Sequence, residues 1–194
     1  MGLTVTSPAE TAPVSVAEVR AHLRIDHTDE DELLAGYVRA ATDWCENFLG
    51  RSLVTRTLRL TRPRFPGSCG AIELPDGPVA SVTEIGYRDL DGADQVVPAE
   101  DYIAVLDAVV PWVEPVSGVS WPATELHPQA VRVTYVAGYG DADAVPRDIR
   151  QAILLLVGQF AEFREQVVGG AALSEVPMGV TALLFPHRVI GGTS

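Results

Sequence analysis

Two glycines stand between an alternating strand and a helix in the stretch VRVTYVAGYGDADAVPRDIRQAILLL, a spacing that could cradle a phosphate. A dinucleotide loop has the pattern G-x-G-x-x-G, with the helix N-terminus aimed at the pyrophosphate. Gly138 and Gly140 fit this pattern, but Asp143 takes the third glycine position, and its carboxylate and that of Asp141 would repel phosphate. The chain also contains no Lys, which a P-loop needs. The stretch therefore favours a strand-to-helix turn over a nucleotide site.

Carboxylates cluster at two places where they could hold a cation. The two groups are Asp141, Asp143 and Asp148, and Asp26, Asp29 and Asp31. Neither follows the twelve-residue calcium loop, and acids before a helix are common as partners of its dipole. The chain has no G-x-S-x-G or H-E-x-x-H motif for catalysis. We therefore predict no catalytic, cofactor-binding or metal-binding residues and no cofactor, while a small metal- or carbohydrate-binding enzyme stays open as an alternative.

The charge balance excludes one class of partner. The chain has 26 acidic residues against 14 basic ones, a net charge of −12, and every basic residue is Arg. A general nucleic-acid binder needs a basic footprint, so this balance argues against that class. It suits a protein that DNA passes closely without adhering.

The longest apolar run, Ala152 to Gly158, is too short to span a bilayer, so we expect no membrane association.

Helical signals appear at both ends of the chain. Ser15 and Glu18 form a capping box for a short first helix. Thr28 or Asp29 is expected to cap a second helix, which Gly50 ends. A third helix is expected to start near Pro146, and one more turn of helix near residues 181–185. The second helix has apolar residues at helical spacing, namely Leu33, Leu34, Tyr37, Val38, Ala41, Trp44, Cys45, Phe48 and Leu49.

Between these helices the apolar residues alternate with polar ones, so the hydrophobic pattern has the two-residue period of a strand. Leu58 and Leu60 alternate with polar residues, and several more short strands follow between prolines. Asp91-Gly92 predicts a hairpin turn.

Cys45 and Cys69 have no metal-site spacing, and Cys45, among apolar helix positions, is expected to be a buried free thiol.

The predicted fold is α+β. A small helical bundle is expected from residues 15–52 and 144–168, made of two N-terminal helices and one long C-terminal helix. Residues 53–143 are expected to form an inserted antiparallel β subdomain. Residues 1–14 would be a flexible arm, and residues 169–194 an extended C-terminal tail that docks on another protein.

One basic cluster has two open interpretations. It consists of five of the 14 Arg residues, namely Arg51, Arg56, Arg59, Arg62 and Arg64. On a strand, Arg56 and Arg62 point to the face opposite Arg59. The cluster is either a solvated edge that discourages aggregation or a basic rim for an acidic partner or a phosphate backbone.

Three phrases, in order, resemble the head–tail connector, or adaptor, proteins of long-tailed phages and of gene transfer particles, in their β-inserted subgroup. The first is a helix pair that ends in E-N-x-x-G-R-x-L, carried by Glu46, Asn47, Gly50, Arg51 and Leu53. The second is LPDGPVASVTEIGYRDLDG, similar to the family's strand and D-x-D-G hairpin. The third is VRVTYVAGYGDADAVPRDIRQAILLLVGQFAEFRE, which runs from the last strand into the long helix and is similar to the family's ending. It is carried by Tyr135, Gly138, Tyr139, Pro146, Ile149, Ala152, Ile153, Arg164 and Glu165. This chain departs from the family in LLLVGQFAEF, where relatives often have more aromatic and polar residues before R-E.

The resemblance implies a non-enzymatic structural protein of the virion neck, made in the bacterial cytoplasm. Such proteins form a ring, normally of twelve copies, beneath the portal protein, with DNA passing through the lumen without specific binding. Their other partner is a stopper or tail-completion protein, and the chain itself being one of those neck components is the alternative. The expected portal or neighbour interface is Arg51, Arg56, Arg59, Arg164, Leu183, Leu184, Phe185 and Arg188. If the C-terminal tail docks on the portal or a neighbour, deleting residues 174–194 should abolish portal binding and leave the fold intact.

Overall fold

The computed structural model describes residues 1–162 and 178–189. Within them the chain forms two compact units, which are described separately. The first unit, the β unit, contains Met1–Glu10 and Thr55–Tyr139. The second, the helical unit, contains the described residues of Thr11–Val54 and Gly140–Ile190. Helices and antiparallel sheets thus belong to different units, and the predicted α+β class is confirmed.

Four α-helices make up the helical unit. They are α1 (Val16–Leu23), α2 (Asp31–Leu49), α3 (Arg147–Glu162) and α4 (Met178–Leu184). A 3-10 turn over Phe185–His187 continues α4, so this helix is longer than the single turn that the sequence predicts. Most of the buried side chains of α2 and α3 are those that the helical period predicts, although Leu33 is 40% exposed.

The helix ends show why these segments are helical. The Ser15 hydroxyl accepts a hydrogen bond from the Glu18 N–H at 3.2 Å, and the Glu18 carboxylate accepts one from the Ser15 N–H at 2.8 Å, which confirms the predicted capping box. Gly50 ends α2 with a φ of 63°, a left-handed conformation that glycine adopts without strain.

The predicted cap of α2 is wrong. The residue that precedes the helix is Glu30, and no side chain caps it. The Asp31 N–H instead donates to the main-chain carbonyl of Thr28 at 3.1 Å, so a backbone turn satisfies this donor. Asp31 itself pairs with Arg20 at 3.4 Å, which holds the start of α2 near α1.

Eight strands make up the β unit. They are β1 (Gly2–Ser7), β2 (Arg56–Arg62), β3 (Ile72–Glu73), β4 (Val79–Arg88), β5 (Asp94–Val96), β6 (Tyr102–Val105), β7 (Trp112–Pro115) and β8 (Val131–Ala137). One sheet has the order β1-β2-β8-β4-β5 and the other the order β3-β7-β6, with antiparallel pairing throughout. Leu58, Leu60 and Tyr135 of the first sheet share one buried core with Ile72 and Val113 of the second. The predicted Asp91-Gly92 hairpin joins β4 to β5, with Gly92 at φ 79°.

The flexible arm predicted for residues 1–14 is not what the structure shows. Gly2–Ser7 form β1, in which Leu3 pairs with Leu60 and Val5 with Leu58. The Thr4 hydroxyl also donates to the main-chain carbonyl of Arg59 at 3.3 Å. A six-residue strand with few apolar side chains is stable only against a partner, and its partner β2 lies about fifty residues later. Val14, also within the predicted arm, is 1% exposed.

Candidate interaction surfaces

The three arginines of the basic cluster that lie on β2 divide between its two faces. Arg59 is exposed, and it pairs in register with Thr4 of β1 and Thr134 of β8 on the face opposite Leu58 and Leu60. Arg56 and Arg62 are half-buried on the other face, as the alternation predicts. Of the predicted interface residues on this strand, Arg59 is therefore the one available to a partner.

Arg56 lies inside the β unit near a carboxylate. Burial raises the pKa of Asp76, and the charge of Arg56 partly offsets that rise. Next to this pair the Tyr135 hydroxyl donates to the main-chain carbonyl of Pro75 at 2.8 Å. Burial, and secondarily the Asp76 carboxylate, raise the pKa of Tyr135. Arg56 thus compensates a charge of its own unit, a role that the pattern of the strand does not reveal.

Residues 178–189, called the tail segment below, pack on the helical unit's own helices. Val180 and Leu184 are 0% exposed. They lie four positions apart on α4, so both point to one face of the helix. The main-chain N–H of Val189 donates to the carbonyl of Leu49 at 2.9 Å. The prediction that Leu184 faces a partner is therefore wrong, because this side chain fills the core of its own unit.

Polar contacts hold the same segment. Arg51 Nε donates to the main-chain carbonyl of His187 at 2.7 Å. The His187 ring lies 3.1 Å from the Asp148 carboxylate, and this hydrogen bond lowers the pKa of Asp148. Arg51, predicted to face a partner, thus binds the chain's own tail segment.

Phe185 and Arg188 are exposed residues of the tail segment. Phe185 is 56% exposed, and Leu183 is half-buried. The exposed Arg188 places its guanidinium 4.9 Å from the centroid of the Phe48 ring, a cation–π distance. Phe48 in turn stacks on Trp44 with centroids 5.2 Å apart. Arg164, the remaining predicted interface residue, lies outside the described residues, as does Glu165 of the third family phrase.

The stack of Trp44 and Phe48 is a surface feature that the sequence analysis missed. Both residues are half-buried, although the helical period places them in the predicted core. Their spacing of four residues brings two aromatic rings together on one helix and is the signal that could have revealed the stack. We group this stack with Arg188, which lies over Phe48, and with Phe185, whose main-chain carbonyl accepts from the Arg188 N–H, and call these four residues the tail patch below.

The glycine-rich stretch is a turn, as the sequence predicts. Gly138 and Gly140 have φ values of 123° and 127°, where a side chain would be strained. The Gly138 N–H donates to the main-chain carbonyl of Pro78 at 2.8 Å, so this donor is used within the fold. A 3-10 turn over Ala142–Ala144 then leads into α3.

Members of both acidic clusters contact side chains of the chain itself. Asp143 lies 3.4 Å from Arg150, Asp29 lies 4.0 Å from the His27 ring, and Asp148 and Asp31 have the partners described above. Across residues 1–162 and 178–189, no group of three His, Cys, Asp or Glu residues is placed to hold a metal ion.

Comparison with known proteins shows to which protein family the chain is related. A sequence model of phage gp6-like head–tail connector proteins matches residues 13–90. The chain is also similar over its whole length to a chain in the virion of a native gene transfer agent particle. The identity is 32% and the TM-score 0.81, and the match covers 100% of this chain and 98% of that one. The chain belongs to the head–tail connector family.

Two further structures agree with membership of the head–tail connector family. A chain in the neck of an empty gene transfer agent particle, computed with C6 symmetry, has 30% identity and a TM-score of 0.81. A chain in the neck of the native particle, computed with C12 symmetry, has 30% identity and a TM-score of 0.78. Both matches cover 100% of this chain and 98% of the other. No curated protein matches the chain.

The sequence match and the structural matches cover different parts of the chain, so they relate different residues to the connector family. The connector family's sequence model includes Arg51, Arg56 and Arg59 and ends near the β4–β5 turn. The relationship of α3 and of the tail segment rests on the structural matches, which run over the whole chain. In the part of the chain that the structure describes, no helix is long and apolar enough to cross a bilayer.

Proposed function

We propose that this head–tail connector is a non-enzymatic adaptor that forms a ring, of twelve copies, beneath the portal protein. The ring would bind the portal protein on one side and a stopper or tail-completion protein on the other. DNA would pass through its lumen. The observation that carries the proposal is the similarity over the whole chain to chains of particle necks that were computed with C12 and C6 symmetry.

The charge of the chain supports a DNA channel. Each copy carries a net charge of −12, and a ring repeats that charge around its axis. Asp26, Asp29, Glu32 and Asp43 are exposed acids on or before α2. Carboxylates repel the phosphates of DNA, so such a wall would let the genome slide without adhering.

The tail patch is the surface that we assign to the portal protein. Phe185 offers an exposed aromatic ring, and Arg188 a cation beside the Trp44–Phe48 stack. Aromatic and Arg side chains are the types that most often anchor protein interfaces. The Arg51–His187 hydrogen bond and the buried Leu184 would present these two residues in a fixed position. The tail segment, residues 178–189, would thus be anchored to the helical unit and present these two exposed residues.

Electron microscopy of the chain mixed with the portal protein of the same locus tests the proposal. We expect an added ring at the outer end of the portal. Absence of binding, with both proteins folded, would overturn the adaptor role. Binding only to a portal that already carries another ring would instead identify the chain as a stopper or tail-completion protein.

Single substitutions test the assigned patch. Phe185→Asp should weaken binding to the portal protein at least tenfold, since it removes a central aromatic contact. Met178→Asp is the matched control, because Met178 is 88% exposed on the same tail segment and lies outside the tail patch. Equal affinities of the two variants would show that the portal protein binds elsewhere.

A further inference from the structure

One edge of the five-stranded sheet lacks the usual protection against pairing. Among the described strands, β1 has β2 as its only neighbour, so its other side is an open edge. Its sequence GLTVTS contains no charged residue and no proline. Proteins normally protect such edges with charge, proline, short length or a bulge. The register shift between Val5 and Ser7 is the one such device here, and it leaves Gly2–Val5 regular.

The opposite edge of the same sheet is protected. Its strand β5 has three residues and begins with Asp94. The Asp94 carboxylate lies 2.6 Å from Arg132 and 4.0 Å from Arg88, so a charged cluster stands at this edge. The difference between the two edges suggests that β1 is kept open for a partner strand.

Val5 shows that the core face of the sheet is incomplete at β1. Val5 pairs with Leu58, and Leu58 pairs with Tyr135, so the three form one row across three strands. Leu58 is 2% and Tyr135 0% exposed, whereas Val5 is 52% exposed. A strand added beside β1 would cover Val5 and would pair with the open backbone groups of β1.

The second sheet of the β unit has an open edge as well. Its edge strand β6 has the uncharged sequence YIAV, and Ile103 is 48% exposed. The other edge strand of that sheet, β3, has two residues and includes the exposed Glu73. Within the described residues, β1 and β6 are therefore the uncharged edges of the β unit, and they belong to different sheets.

We propose that β1 of one copy pairs with β6 of the next copy and joins their sheets around the ring. A ring needs two different, complementary patches on each subunit, because a contact between identical patches closes as a dimer. Two open edges on different sheets meet that requirement. Ile103 and Val105 lie on the face of β6 away from the core residues Tyr102 and Ala104, and they offer apolar partners for Val5. This inference rests on the proposed ring.

Cysteine cross-linking within assembled rings tests the pairing. The background carries Cys69→Ser, since Cys69 is exposed, while Cys45 is buried and can stay. Val5→Cys and Ile103→Cys, which the proposed pairing places on one face of the joined sheet, are introduced singly and together, and rings on the portal protein are treated with a short bis-maleimide. The double variant should give a ladder of covalent oligomers up to the full ring, and each single variant should stay monomeric.

The possible outcomes separate this inference from the proposed function. Rings seen by electron microscopy without a ladder from the double variant would overturn the strand pairing and leave the adaptor role standing. Covalent dimers from Val5→Cys alone would show that β1 pairs with another β1, which also overturns the inference. Absence of rings from all variants and from the parent chain would overturn both.

A charge at the edge gives an independent test. Val5→Lys places an inward-pointing cation on β1, a device by which natural proteins prevent edge pairing. It should reduce ring assembly at least tenfold, while the circular dichroism of the monomer is unchanged. Leu126→Lys makes the same chemical change at a fully exposed side chain of the β unit and should leave assembly within twofold. Normal assembly of Val5→Lys would contradict the pairing.

Discussion

Arg51 Nε donates a 2.7 Å hydrogen bond to the main-chain carbonyl of His187, which lies 136 residues later in the chain. Arg51 belongs to the phrase E-N-x-x-G-R-x-L, by which the sequence resembles head–tail connectors. The contact gives that arginine a structural role at the end of α2. It links the first family phrase to the tail segment that we propose as the portal-binding element.

Arg51→Ala should destabilise the helical unit by about 1 to 2 kcal/mol, because it removes a charged donor from a partly buried carbonyl. Urea denaturation followed by circular dichroism measures the change. Arg59→Ala is the control, since the Arg59 side chain is exposed, and it should change the free energy of unfolding by less than about 0.5 kcal/mol. Equal effects of the two substitutions would show that the Arg51 contact contributes no stability.

Leu184→Ala should cost about 3 kcal/mol, since it leaves a cavity at a side chain that is 0% exposed. Its neighbour Phe185 is 56% exposed, and Phe185→Ala should cost less than about 0.5 kcal/mol while weakening portal binding. Thermal unfolding and a binding assay on both variants separate the two roles.

A deletion of residues 174–194 should likewise destabilise the fold, contrary to the sequence-based expectation, because it removes Val180 and Leu184 from the core. A stable Leu184→Ala variant would show that the tail segment does not anchor there.

Ser15→Ala should destabilise the chain by about 1 kcal/mol, because the hydroxyl no longer accepts from the Glu18 N–H at the start of α1. Ser15→Thr retains a hydroxyl that can accept from the Glu18 N–H and donate to the Glu18 carboxylate, and it serves as the control. The free energy of unfolding from denaturant titrations measures both changes. A loss as large for Ser15→Thr as for Ser15→Ala would indicate that the cap is not the cause.

The stabilising effect of Glu18 should depend on pH. The Ser15 N–H hydrogen bond lowers the pKa of Glu18 most, burial opposes this, and the Ser15 hydroxyl and Arg150 lower the pKa further. A carboxylate whose folded pKa is lowered stabilises the fold above its unfolded pKa and loses that effect as pH falls through the folded pKa. Wild type should therefore be more stable than Glu18→Gln near neutral pH, and the difference should shrink on acidification below the ordinary value of 4.5.

Denaturation curves of wild type and Glu18→Gln at several pH values check this expectation. Glu10→Gln removes an exposed carboxylate elsewhere and controls for the change in net charge. A difference between wild type and Glu18→Gln that stays constant down to strongly acidic pH would contradict the assigned hydrogen bonds.

The two thiols should differ in reactivity. Burial, with a smaller contribution from Glu46, raises the pKa of Cys45 to about 12, and its side chain is 0% exposed. The thiolate is the reactive form, so Cys45 should resist alkylation in the folded protein, whereas the exposed Cys69 should react. Mass spectrometry after iodoacetamide treatment should show one modified thiol in buffer and two in denaturant, and Cys69→Ser should show none in buffer. Rapid modification of Cys45 in buffer would indicate that α2 opens.

Local signals in the sequence were sufficient where neighbouring residues decide the conformation. The Ser15–Glu18 capping box, the glycine that ends α2 and the Asp91-Gly92 hairpin are settled within a few residues, so the sequence predicted them. The order of helices and strands followed from a change in hydrophobic period, and the family from three phrases in order.

Only the tertiary structure decided the features that depend on distant partners. Gly2–Ser7 form a strand because β2 supplies an edge for them to pair with, and those six residues alone do not specify that partner. Leu184 is buried because α4 packs on α2 and α3. The charge of Arg56 acts on the carboxylate of Asp76, which lies outside β2 and cannot be inferred from the alternation along that strand. The physical reason is the same in each case. A side chain's exposure depends on which surfaces meet it, and those surfaces lie far away in the sequence.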